Sequence, residues 1–261
     1  MLAFYFFIGL AVGSFLNSVI YRLEKKESIV KARSYCPYCK KTLFWFELIP
    51  LMSFILQRGR CRSCHKKISW QYPLVELATG ALFALIFNYQ FSIINFQLVF
   101  WFFIVSCLII IFVYDLKHYI IPNEIVYSGI ILTFLYQLQF SIINYQFSIN
   151  FQFPIFNYLL AGLIAGAFFL TIILISKGKW MGMGDVKLAV FMGLVLGWPD
   201  ILVALFLAFL VGAFVSVILI ISKKKTLKSE VPFGPFLVGA TIVAIFWGNI
   251  LINWYLNLLL I

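Results

Sequence analysis

Runs of Leu, Ile, Phe and Val, each of roughly the 17 to 25 residues that a helix needs to cross a bilayer, alternate along this chain with polar connections. They lack the period-two alternation of membrane strands. Such runs predict helices, because a segment in hydrocarbon must satisfy its backbone N–H and C=O groups internally. Eight are expected, near residues 2–21, 73–88, 98–114, 120–138, 156–176, 182–198, 200–222 and 235–259. The sixth is the shortest, since the apolar run after Lys187 stops at Gly197, Trp198, Pro199 and Asp200. The first run has no basic segment before it and no small-residue cleavage site after it, so it reads as a retained span and not a removed signal. Gly9 and Gly13, four residues apart, predict close helix packing.

Composition narrows the class further. Of 261 residues, 64% are hydrophobic and 11% charged, too few polar groups to cover a water-soluble globule. The expected fold is an all-α polytopic membrane protein of about eight transmembrane helices. All 20 Lys and Arg fall at 22–67, 117, 177–187 and 223–228, the connections on one side. By the positive-inside bias that side is cytoplasmic and both termini face outward. Parity requires the sixth span, because without it Lys223, Lys224, Lys225 and Lys228 would lie outside. The net charge of +11 thus reports topology and contact with anionic membrane lipid; beside a membrane it does not imply nucleic acid. On the outward side, YQFSIINFQ at 89–97 recurs as QFSIINYQ at 139–146 and QFSINFQF at 146–153. This repeat carries no metal-binding group and is far below a solenoid period, so it reads as loop filling.

A polar insert separates the first two spans and contains Cys36-Pro-Tyr-Cys39 and Cys61-Arg-Ser-Cys64. Two such knuckles, 21 residues apart, suit one tetrahedral Zn²⁺ held by four thiolates, and a reducing cytoplasm argues against disulfides. Four protein ligands close the coordination sphere, so the metal is structural. His65 reads as a basic surface residue and Cys107 as a small packing residue.

Asp115 ends the third span and Asp185 begins the sixth, on the same side. The two carboxylates can therefore share one depth and face each other. Close carboxylates in a low dielectric cannot both ionise comfortably, so one retains a proton and the pair supplies acid and base together. Such a pair can activate water against a peptide carbonyl and protonate the leaving amine. Gly182 and Gly184 give the backbone freedom to bring Asp185 to a partner or a substrate strand. Other readings stand beside this one. Asp185 is also placed to cap a helix, with Lys187 snorkelling to headgroups. Asp115, Glu76 and Asp185 could instead relay ions or protons in a transporter. His118 fits an interfacial histidine.

The chain resembles the type IV prepilin peptidases, membrane aspartic proteases of the G-x-G-D kind. The resemblance rests on GSFLNSVIYRL at 13–23, the cysteine region at 36–76, DLKHYIIPN at 115–123, GMGDVKL at 182–188 and VPFGPFL at 231–237. It implies that Asp115 and Asp185 are catalytic, with Gly182, Gly184 and Lys187 supporting them. It also implies prepilins or pseudopilins as substrates, cut at the cytoplasmic face of a prokaryotic inner membrane. Members with the cysteine region usually also methylate the new N-terminal amine with S-adenosylmethionine, for which Glu47 and Arg60 are the candidates here. The implied division is 1–21 as first helix, 22–72 as zinc module and methyltransferase part, and 73–261 as peptidase domain. Leu48 stands where many members have Asn, and Glu24 where the opening signature often has Pro.

Overall fold

A computed structural model describes residues 1–28, 33–90, 96–147, 154–223 and 231–259. Lys224, Lys225 and Lys228 lie outside the described residues, as do most of the first and last QFSI copies. The expected spans form helices: α1 (Leu2–Lys25), α3 (Gln71–Gln90), α4 (Phe96–His118), α5 (Asn123–Phe147), α6 (Pro154–Ser176), α7 (Met183–Leu196), α8 (Asp200–Ile221) and α9 (Gly234–Leu259). A short α2 (Met52–Leu56) and a 3-10 turn (Trp45–Leu48) lie in the polar insert. Seven of these helices are long and apolar enough to cross a membrane among the described residues. At 14 residues, α7 spans about 21 Å, short of a hydrocarbon core of roughly 30 Å. It starts behind Gly182 and stops at Gly197, whose φ of 71° leaves the helical region. The QFSI copy at 139–146 is helical and not loop: nothing between Asn123 and Phe147 is Gly or Pro except Gly129, so α5 runs on.

The chain packs as two compact units, Met1–Ile110 and Ile111–Ile261. In the first, α1 lies against α3 with almost no side chain between them. A Cβ on Gly9 would come within 2.7 Å of the Gly80 Cα, and one on Gly13 within 2.7 Å of the Glu76 Cα. This is the close approach that small residues four apart permit. Ring stacking fills the rest: buried Tyr5 stacks on half-buried Phe87 at 4.2 Å and buried Phe83 on half-buried Phe102 at 4.0 Å.

In the second unit α7 is the core helix, in contact with α5, α6, α8 and α9. Leu188, Ala189, Phe191 and Met192 are fully enclosed, as expected of a helix apolar all round. Gly193 meets Gly162 of α6 so closely that a Cβ would strike its backbone at 2.5 Å. By contrast α8 buries only Ile201, Ala204, Ala208 and Gly212. Those positions form one narrow stripe; the outward Phe206 and Phe214 suit contact with lipid chains.

Candidate active site and cysteine cluster

The polar insert of the first unit is built from one knuckle used twice. The Cys36 N–H donates to the Lys41 carbonyl and the Lys40 N–H to the Cys36 carbonyl, each at 2.9 Å. Twenty-five residues on, Cys61 and Lys66, then His65 and Cys61, repeat both bonds at 2.9 Å. The bridge Tyr35–Thr42 likewise repeats as Arg60–Lys67. Lys40 and His65 occupy equivalent left-handed turns, with φ of 58° and 56°. His65 thus shapes a turn, and the metal-capable cluster comprises Cys36, Cys39, Cys61 and Cys64, with ligand atoms all within 4.8 Å of one another. The N–H groups of Cys64 and Ser63 pull the Cys61 thiol down to about 7. At Cys64 the Lys66 N–H acts to lower the pKa, but burial and the neighbouring thiols outweigh it and push the group up to about 11. Cys107 is buried in α4.

Side chains tie the insert to the membrane helices of its unit. Buried Glu76 accepts the Leu51 N–H at 2.8 Å, and Ser14 Oγ donates to the Leu48 carbonyl at 3.4 Å. Glu47 caps its own turn by accepting the Phe44 N–H at 2.9 Å. Arg60 lines an open cleft of about 730 Å³ together with Phe46, Ser53, Gln57, Arg62 and His65. Glu47 is not among the lining residues, so the two candidates for methyl transfer are not brought to one wall.

The aspartates lie in the second unit. Asp115 is in the last turn of α4, 4% exposed, and its carbonyl accepts the Tyr119 N–H at 2.9 Å. Tyr119, at φ 57°, ends the helix, and Pro122 holds Ile121 away from helical geometry before α5 begins. His118 packs on the Tyr114 ring of the same helix at 4.6 Å. Asp185 sits in the first turn of α7, where its Oδ2 accepts the Gly182 N–H at 3.3 Å. That is the capping geometry expected of an acid at a helix start.

Two contacts bring the segments together. A Cβ on Gly184 would approach the Ile121 side chain at 3.1 Å, so the loop after Asp115 lies directly against the start of α7. Lys187 Nζ donates to Asn123 Oδ1 at 2.9 Å and lies 5.1 Å from the Tyr127 ring centre. Lys187 therefore joins α7 to α5 and does not simply extend toward headgroups. Asp115, six residues before Ile121, and Asp185, next to Gly184, thus flank the same junction. The Gly234 N–H donates to the Asp115 carboxylate from the start of α9, a role that the quoted VPFGPFL motif did not disclose. Two prolines flanking a glycine were the available signal.

Residues 7–90 match the bacterial peptidase A24 N-terminal domain, and residues 101–217 match the type IV leader peptidase family. A protein of Bacillus subtilis (strain 168) is 33% identical over the whole of both chains. One of Legionella pneumophila is 30% identical over 95% of this chain and 92% of its own. One of Myxococcus xanthus (strain DK1622) is 35% identical over 84% of this chain and 63% of its own. All three relatives bear the name prepilin leader peptidase/N-methyltransferase. No solved structure matches the chain.

Proposed function

Because this chain belongs to the type IV leader peptidase family, we propose that Asp115 and Asp185 are the pair with which it cuts its substrate. The protein is a multi-pass bacterial inner-membrane aspartic peptidase that removes prepilin leaders and is also an N-methyltransferase. The observation that carries the residue assignment is the seam between the loop after α4 and the start of α7, where Ile121 lies against Gly184 and Lys187 donates to Asn123 Oδ1, so that two acids 70 positions apart in sequence flank one junction. One carboxylate takes a proton from water as it attacks the scissile carbonyl. The other, protonated, donates to the developing oxyanion, and the leaving amine then receives a proton from the pair. Gly182 and Gly184 keep side chains out of the space beside Asp185, and the Lys187 tie to Asn123 keeps the two segments in register.

Residues 22–72 are the methyltransferase part in this reading, 73–261 the peptidase domain and 1–21 the first helix. The module suits Zn²⁺: a four-thiolate tetrahedron with bonds of about 2.3 Å has edges of about 3.8 Å, and Cys36 and Cys64 lie 3.9 Å apart. Bound by all four thiolates, such an ion would hold the two knuckles together and leave no open position for water. The Arg60 cleft lies within the size range of small-molecule sites, with Arg60 and Arg62 offering donors to a carboxylate and Arg62 lying over the ring of Phe46, which stacks on Phe44. Bound there, S-adenosylmethionine would supply the methyl group; Glu47 orders the turn that carries Phe46. The basic connections set the active side toward the cytoplasm and touch anionic headgroups. Prepilins or pseudopilins meet Asp115 and Asp185 at that face.

The test combines purified protein, a prepilin and a labelled methyl donor. Cleaved product carrying label at its new N-terminus is the expected result. Cleavage without label removes the methyl-transfer half, and proton-coupled flux with no cleavage would favour a transporter.

A further inference from the structure

The turn that opens α9 leaves one backbone donor to spare. The Phe233 carbonyl accepts the N–H groups of Phe236 at 3.0 Å and Leu237 at 3.2 Å. Pro235 has no N–H to give. The Gly234 N–H is what remains of the turn's donors, and it goes to the Asp115 carboxylate. The approach excludes any side chain at this position. A Cβ on Gly234 would lie 2.5 Å from Asp115 Oδ2 and 3.1 Å from its Cγ. The segment is also seated firmly within its unit. Phe233 packs against Phe209 at 5.1 Å and Phe169 at 6.1 Å, while Phe233 and Phe236 cover the bare backbone of Gly212 on α8.

Asp115 needs such a partner because it stands at the C-terminal end of α4, where its own helix presents carbonyl oxygens that disfavour a negative charge. An N–H from the first turn of another helix offsets this, and it fixes the rotation of the carboxyl group.

We infer that Gly234 is a positioning residue for leader cleavage: its N–H orients the Asp115 carboxylate toward Asp185, and its missing side chain leaves that carboxylate its place. This rests on the reading of Asp115 and Asp185 as the cleaving pair.

The test is prepilin cleavage kinetics for Gly234→Ala in the full-length membrane protein, with Asp115→Asn in parallel and methylation of an already cleaved pilin as a check on folding. In Gly234→Ala, kcat is expected to fall about 100-fold, the scale of a 1 Å misplacement, with KM unchanged and methylation retained. Full kcat in folded Gly234→Ala overturns the inference, as does a change confined to KM. Cleavage by Asp115→Asn would instead overturn the aspartate reading itself. Should Gly234→Ala fail to fold, Phe233→Leu decides, since it loosens the seat and leaves Gly234 and Asp115 in place. A several-fold loss of kcat at constant KM supports the inference there, and unchanged kcat overturns it.

Discussion

At the scale of single residues, what could be read from the sequence was chemistry that announces itself by spacing. Four cysteines in two C-x-x-C pairs meet within one cluster, because each knuckle is a local structure whose geometry needs no distant partner. Contacts made across the fold were not legible. Nothing in the sequence tells that Lys187 seeks Asn123, 64 residues away, or that Gly234 adjoins Asp115. Both depend on which helix ends arrive together. Lys187→Met removes a charge-assisted but exposed hydrogen bond, so a loss of about 1 kcal/mol is expected in thermal melting of the detergent-solubilised protein. Glu47→Gln and Arg60→Ala are expected to lower methylation of a cleaved pilin about tenfold, the value of one such bond, while leaving leader cleavage unchanged. A parallel loss of cleavage in those variants would contradict the division of the two activities.

Among the elements, the long apolar runs located the helices well because hydrocarbon admits few other backbone solutions. Their ends were less legible. The QFSI copy at 139–146 looks like a connection by composition, yet it continues α5 since no breaker interrupts it. The apolar run of α7 signals burial on all sides, but its 14 residues leave open whether it faces lipid or protein; its packing among four other helices supplies the answer. Gly193→Ala tests that packing. Its Cβ would press on the Gly162 backbone, which cannot rotate aside, so a loss of about 1 to 3 kcal/mol is expected in the same melting experiment. The metal module is a separate element in this sense. Chelation is expected to release one Zn²⁺ per chain, measurable by a colorimetric indicator, and to abolish methylation while cleavage persists. Release of no metal would sink the zinc assignment.

For the molecule as a whole, charge distribution predicts an orientation that apolar length alone could not, because among the described residues seven helices are long enough to cross and the eighth is short. If α7 carries the chain across within its unit, tags at both termini are accessible from outside the cell; termini on opposite sides would mean that it does not. In the proposed reading that orientation would set Asp115 and Asp185 at the cytoplasmic face, where a basic leader would emerge from the bilayer. The most direct measurement is leader cleavage by Asp115→Asn and Asp185→Asn in native membranes, followed by mass analysis of a supplied prepilin. The account predicts that each variant leaves the prepilin intact while still methylating a pilin already cut. A prepilin processed at the normal rate by either folded variant would contradict it.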